Sequence, residues 1–208
     1  SGVLTRKGLN WDKSQIRTET TGYGLVYFVT EMLKTINDQI SNKKVLVSDS
    51  INVTQYATEK AIQLGAQVLT ISDPNDTIYD PQGLDQTKLD FIKELKNSKR
   101  GRIKEAAEKF SLEYFENQNP WHIKADIALP CATQNEISQK DAERLVNNGV
   151  KLFAEGANMS STPEAINIFQ TNHILFSPGK ASNAGRVAVS GLEMSQNSLR
   201  LSWSRQEK

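Results

Sequence analysis

The stretch "KKVLVSDSINVTQYATEKAIQLGAQVLTISD", Lys43 to Asp73, decides the fold. The apolar run "KKVLVS" reads as a buried strand. Asn52 is positioned to cap a helix from Val53 to Leu64, Gly65 stops that helix, and "QVLTIS" reads as a second strand. Strand, helix and strand make a βαβ unit, the layout that nucleotide-binding units use. The turn after the first strand departs from that layout. Where glycines normally admit a pyrophosphate, the chain carries Asp49, Ser50 and Ile51.

The pattern continues on both sides of this unit. Upstream, from about Thr18 to Ile40, apolar residues such as Leu25, Val29, Leu33 and Ile36 recur at helical spacing. Downstream, "NDTIYDPQGLD" is rich in turn residues, and Asp85 caps a helix predicted to run to about Asn97. A second helical segment follows from Gly101 to Phe110. "ADIALP", "VKLFAE" and "HILFS" read as three further strands. Between them lie helices capped by Ser138 and by Thr162, the latter with Pro163 at its first position. Beyond Pro178, small residues lead into a final helix. This alternation predicts an α/β fold, a doubly wound and mainly parallel sheet with helices on both faces.

Composition narrows the functional classes. With 208 residues, one α/β domain is expected. Lys plus Arg (25) nearly balances Asp plus Glu (24), so no global charge directs the chain to nucleic acid or to an anionic membrane. No apolar run reaches the roughly 20 residues of a bilayer span, so no membrane insertion is expected. The single cysteine, Cys131, excludes an internal disulfide framework and suits a reducing compartment. The expectation is a soluble intracellular protein, in the cytoplasm or an organellar lumen. Sequons at Asn52, Asn75 and Asn158 are short patterns that recur by chance. The chain opens on "SGVLT" without methionine, which leaves room for a processed product or the ordered part of something longer.

In open parallel sheets, ligands sit beyond the carboxyl ends of the strands. Here those loops are "SDSINV", "SDPND", "PCATQNE", "GANMSSTPE" and "SPGKASNAG", dense in Asn, Ser, Thr and small residues that can hydrogen-bond a ribose or an amide. Taken singly, Asn52, Ser138 and Thr162 are equally well explained as helix caps.

These blocks, with "TGYGLVYFV", "EGANM", "TPEAI" and "VSGLEMSQNSLRLSW", resemble the cofactor domain of hexameric, usually NADP-dependent, glutamate dehydrogenases, from "SGVLT" to "LSW". The resemblance implies a Rossmann-like dinucleotide-binding domain over residues 1–208, holding NADP or NAD against glutamate or 2-oxoglutarate on a separate N-terminal domain. In that family the residues of the proton chemistry lie in the other domain, so no catalytic residue is expected here. The family's cofactor contacts map onto Thr21, Ser50, Asn52, Val53, Asp73, Ala132, Thr133, Gln134, Asn158 and Asn183. Val187 and Ser190 would border the substrate side chain. Asp73, 22 positions after Ile51, also falls near the acidic ribose-reading position of a fingerprint. In NADP-using relatives that neighbourhood handles the 2′-phosphate.

The chain departs from the family at cleft positions. Where the family has the glycines of "TGKG", "WGGS", "GSGNV" and "NAGG", this chain has Arg6, Asp12, Lys13, Asp49, Ile51 and Arg186. Ile51 would be strained at positive φ and would fill the point of closest approach. Asp49 would oppose the pyrophosphate by roughly 3 kcal/mol at about 5 Å and an effective dielectric near 20. Cofactor binding is therefore expected to be weak or lost. The expected function is a degenerate domain, non-catalytic on its own, serving as a structural or interaction module. Such a module would work with a protein partner or a substrate domain outside this chain, and in an oligomer. The alternative is the cofactor half of an active NADP-dependent glutamate dehydrogenase.

Other features read as structural. The basic run "KNSKRGRIK" reads as a solvated helix junction, with anion or nucleic-acid binding as the competing reading and no interleaved aromatics to stack on bases. His122 and His173 lack partners at metal-ligand spacing. Cys131 reads as a small buried residue, and Trp11, Trp121 and Trp203 as core or interface anchors.

Overall fold

The computed structural model describes residues 15–182, with side chains described from Thr21 onward. Arg6, Trp11, Asp12, Lys13, Asn183, Arg186, Val187, Ser190, Trp203 and the predicted final helix lie outside the described residues. The elements in chain order are α1 Gln15–Lys34, β1 Lys44–Val47, α2 Val53–Gln63, β2 Gln67–Val68, β3 Thr70–Ser72 and β4 Thr77–Tyr79. Then come α3 Gln86–Glu94, α4 Ile103–Phe110, β5 Glu113–Phe115, β6 Ile127–Leu129 and α5 Gln139–Asn147. β7 Leu152–Ala154, α6 Pro163–Thr171, β8 Leu175–Ser177 and α7 Gly179–Ser182 complete them.

Five strands form a parallel sheet in the order β2-β1-β6-β7-β8. The central strands β1, β6 and β7 are buried on both faces, which is why they read as continuous apolar runs and not as alternating ones. Val45, Val47, Ile127, Leu129, Leu152 and Ala154 pack with Leu25, Val29 and Leu33 of α1 and Ala57 and Ala61 of α2. The intervening Leu46, Ala128 and Phe153 pack on the opposite side with Leu145 of α5, Phe169 of α6 and the fully buried Trp121. Phe153 stacks on both Phe169 and Phe176, with ring centroids 4.3 and 5.8 Å away. The doubly wound parallel sheet is as expected from the sequence.

The predicted second strand is divided. Gln67–Val68 pairs with β1, whereas Thr70–Ser72 joins β4 and β5 in a separate antiparallel sheet, in the order β3-β4-β5. Where the chain peels away from β1, the Thr70 hydroxyl accepts from the Val47 N–H and donates to the Val47 carbonyl, both at 3.0 Å. A side chain thus replaces the missing strand. Part of the segment read as turn-rich is β4, since Asp73 N–H bonds to the Asp76 carbonyl at 2.9 Å and closes a hairpin through Pro74 and Asn75.

Helix ends follow local chemistry with two exceptions. Asp85, Ser138 and Thr162 each accept a bond from a backbone N–H of their helices, as capping residues should. Asn52 occupies the cap position of α2, but its side chain makes no capping bond, because its backbone sits at φ 40° and ψ −107°. Helix α1 stops at Lys34 and not near Ile40. Asn37 turns left-handed at φ 55°, leaving Ile36 exposed. Gly22 lies where α1 crosses α2: a Cβ there would come within 2.6 Å of Tyr56 Cβ and 2.7 Å of the Val53 carbonyl.

Candidate functional site

Strand β1 is the point where the sheet reverses direction. The chain proceeds from β1 to β2 on one side and later returns to β1's other side as β6. The crevice beyond the carboxyl ends of β1 and β6 is therefore the expected ligand position. Two loops line it, Ser48–Asn52 and Pro130–Glu136.

The first loop is held from below. Ser48 and Ser50 are buried, Thr54 Oγ1 donates to the Ser48 carbonyl at 2.8 Å, and Gln55 Nε2 donates to the Ser50 carbonyl at 2.9 Å. Asp49 adopts φ 73°, the left-handed region that favours glycine, and its N–H donates to Ser72 Oγ at 2.9 Å. Burial pushes the Asp49 carboxyl above its ordinary range, and the neighbouring Asp73 charge adds to the rise. Ile51 is not left-handed and is 41% exposed. The sequence placed the strain of this turn on Ile51, but it falls on Asp49 and Asn52, because those two residues carry the reversed backbone.

The second loop carries Ala132, Thr133 and Gln134, all exposed beside the crevice. It is tied to the first by Cys131 N–H, which donates to Ser48 Oγ at 2.9 Å. Glu136, not singled out from the sequence, reaches back beneath this loop and accepts from Ala132 N–H at 3.2 Å. Burial is the main cause lifting its carboxyl to about 7, hydrogen bonds from Ser48, Ala132 and Thr133 oppose the rise, and the Asp49 charge reinforces it. Burial likewise pushes the Cys131 thiol far up, so the small-residue reading of Cys131 holds and a thiolate nucleophile is disfavoured.

Asp73 lies at the end of β3, beside the first loop. Its carboxylate accepts from Ser50 Oγ at 2.7 Å, Lys96 Nζ at 2.8 Å and Ile103 N–H at 3.2 Å. A cavity of about 230 Å³ opens next to it, walled by the acids Asp73 and Asp76 and the bases Lys96, Arg100 and Arg102 among others. A π-helical turn, Leu95–Lys99, extends α3 and ends on Arg100 in the left-handed conformation. That turn folds the basic run over the end of β3. Lys99, Arg100, Arg102 and Lys104 are exposed, as a solvated junction expects, and Lys96, Arg100 and Arg102 also border the cavity.

The remaining predicted positions fall around the same crevice. Val53 begins α2, and Thr21 adjoins Gly22, which touches the first turn of α2. Asn158 is exposed on the loop after β7, a loop fastened to the second one by Gly156 and Ala157 N–H bonds to the Pro130 carbonyl at 2.8 and 3.1 Å. Ser50, Asn52, Val53, Asp73, Ala132, Thr133, Gln134 and Asn158 all lie beyond the carboxyl ends of strands. His122 has Nδ1 2.8 Å from the Asn119 carbonyl and its ring edge-on to Phe115. Among the described residues no cluster of His, Cys, Asp or Glu could hold a metal, and no helix is long and apolar enough to cross a membrane.

A parallel sheet reversing at β1, with polar loops gathered over the reversal and helices on both faces, defines a Rossmann-like α/β domain. The family model of Glutamate/Leucine/Phenylalanine/Valine dehydrogenase matches residues 14–208, and the chain belongs to that family. It is 60% identical over 206 residues to an NAD(P)-specific glutamate dehydrogenase of Xylanibacter ruminicola, covering 99% of this chain and 46% of the relative. It is 52% identical over 201 residues to the NADP-specific glutamate dehydrogenase of Escherichia coli, covering 97% and 45%. The solved structure of glutamate dehydrogenase 2 from Plasmodium falciparum superposes with a TM-score of 0.83 at 52% identity, over 99% of this chain and 45% of that one. The chain thus spans under half the length of these relatives.

Proposed function

We propose that this chain is a nicotinamide-dinucleotide domain of the glutamate dehydrogenase type, with an intact adenosine end and a weakened pyrophosphate turn. On its own it serves as a structural or interaction module and turns over no substrate. The observation that carries this reading is Asp49, a partly buried carboxylate in a left-handed turn at the sheet's reversal point.

The two ends of the site fit the cofactor differently. At the adenosine end, Lys96 neutralises Asp73, and Arg100 and Arg102 supply donors suited to a 2′-phosphate, which favours NADP over NAD. NADP-specific relatives support that assignment. At the turn, the N-terminus of α2 has no side-chain cap and offers N–H groups to an anion, but the Asp49 charge opposes one. Ser50, Asn52 and Val53 would face the pyrophosphate, Thr21, Ala132, Thr133 and Gln134 the groove, and Asn158 and Asn183 the nicotinamide. Val187 and Ser190 would meet substrate. The proton chemistry belongs to a substrate domain or partner outside this chain, within an oligomer.

Calorimetric titration with NADP of the wild type, Asp49→Gly, Ile51→Gly and the double variant tests the reading. Weak wild-type binding that improves with Asp49→Gly supports it, and micromolar wild-type binding overturns the weakened turn. A second reading, the cofactor half of an active NADP-dependent glutamate dehydrogenase, is favoured by one observation. The loops after β6 and β7 remain closely cross-bonded, as an intact cleft requires. Glutamate-dependent NADP reduction by the product of the whole reading frame would establish it.

A further inference from the structure

Glu155 is an acid in an unusual place. It directly follows β7, is only 2% exposed, and pairs with no cation among the described residues. Its two carboxylate oxygens serve two different loops. Oε1 accepts from Ser161 N–H at 2.8 Å, and Oε2 accepts from Gly179 N–H at 2.8 Å. The first bond closes the loop 155–161, which carries Asn158. The second holds the start of α7. Backbone bonds of the same residue repeat the pattern: Glu155 N–H donates to the Ser177 carbonyl at 3.0 Å, and Ser182 Oγ donates to the Glu155 carbonyl.

The two loops also touch without a side chain between them. A Cβ on Gly179 would collide with the Ala157 carbonyl oxygen and come within 3.3 Å of Asn158 Cα. The loop after β7 is in turn fixed to Pro130 by Gly156 and Ala157. Glu155 therefore closes a continuous series of bonds over the ends of β6, β7 and β8. A carboxylate that satisfies backbone donors, placed where water is excluded, sets the spacing of the groups it joins more tightly than packing does.

We infer that Glu155 is a positioning residue for the nicotinamide end of the site, its carboxylate fixing the distance between the loop that bears Asn158 and the start of α7. This rests on the dinucleotide reading above. The residue touches no ligand and acts through the two loops. The adenosine end is held by other elements, the β1 turn, β3 and the Lys96–Arg102 segment, so it is independent of Glu155.

That independence supplies the test. Glu155→Gln keeps one acceptor but turns an amide N–H toward one of the two backbone donors, so one tether is lost. Wild type and variant are titrated to millimolar concentration with adenosine 2′,5′-bisphosphate and with NADPH, and NADPH emission is followed as a report on the nicotinamide. Glu155→Gln should bind the bisphosphate within about twofold of wild type, while NADPH weakens about tenfold, the cost of one charge-assisted hydrogen bond, and its emission change is lost. Equal weakening of both ligands, or of neither, overturns the inference. A wild type that binds neither ligand overturns the dinucleotide reading, and the inference falls with it. If Glu155→Gln melts without cooperativity, Gly179→Ala decides by the same ratio, because it forces the two loops apart with the carboxylate left intact.

Discussion

The Thr70 hydroxyl takes the place of a backbone partner for Val47, accepting from its N–H and donating to its carbonyl at 3.0 Å each. Both residues are fully buried, so neither Val47 group has water to turn to. Thr70→Val preserves shape and removes both bonds. It should lower stability by about 2–6 kcal/mol, since each of the two orphaned buried groups costs about 1–3 kcal/mol. Thr70→Ser should recover most of the loss. Urea denaturation of the three proteins checks this, and a Val variant within the error of wild type would refute the stand-in role.

At the reversal point, Asp49→Gly should account for most of any gain in dinucleotide affinity. It removes the opposing charge, worth up to roughly a hundredfold by the Coulomb estimate, and relieves the left-handed strain as well. Ile51→Gly should help little, because Ile51 lies outside the left-handed region and is partly exposed. Asp49→Asn separates charge from strain, since Asn tolerates φ 73° better than most residues. Titrations in which Ile51→Gly outperforms Asp49→Gly would assign the obstruction to bulk.

Acidity should be felt through Glu136. Its folded carboxyl is raised to about 7, above the ordinary 4.5, so the folded chain keeps a proton that the unfolded chain has released. Its contribution to stability is complete below about pH 4.5 and is lost as pH rises through about 7. Glu136→Gln cannot ionise, and its melting temperature should lack this decline. Thermal melts at intervals from pH 4.5 to 8 compare the two, and parallel curves would exclude the linkage. The same protonation removes a negative charge near the turn, so phosphate ligands should bind more tightly at pH 6 than at pH 8.

For the cavity beside Asp73, Arg100→Ala or Arg102→Ala should weaken adenosine 2′,5′-bisphosphate by about tenfold to a hundredfold, the range of a lost charge-assisted bond, and should barely affect adenosine itself. Lys96→Met differs in kind. It strips the cation from the Asp73 carboxylate and should destabilise the fold as well as the site. Equal losses for both ligands in the arginine variants would show that the cavity reads no phosphate.

Much of this was legible where the signal is local. Asp85, Ser138 and Thr162 cap their helices because a short polar side chain before an apolar period needs no distant partner to do so. The apolar runs at Val45, Ile127 and Leu152 announced buried parallel strands. Asn52 carried the same local signal as the other caps and failed it, because the turn before it dictates its backbone. The break after Val68 was hidden for a related reason: Thr70 answers to Val47, 23 positions earlier, and no window around Thr70 contains that partner. The cavity lined by Arg100 and Arg102 depends on a left-handed Arg100 that composition does not reveal. Glu136 and Glu155 give no local signal, because a buried acid has no periodicity. It is recognised by the N–H groups that surround it.

The reversal at β1 also governs the order in which the chain can assemble. β1 meets β2 through one short crossover, but its other neighbour is supplied by a segment 82 positions away, where Lys44 N–H bonds to Asp126 and Val45 pairs with Ile127. Closing that long loop carries an entropic penalty that the local unit does not face, so the first βαβ should form early and β6 should dock late. Pulse-labelled hydrogen exchange during refolding should protect amides in the β1–β2 pair before those between β1 and β6. Until then β1 is an apolar strand with a bare edge, the kind of surface that draws other chains into aggregates. The seam that forms the crevice is therefore the last to close, and nascent chains interrupted before Ile127 should be the species most dependent on chaperones.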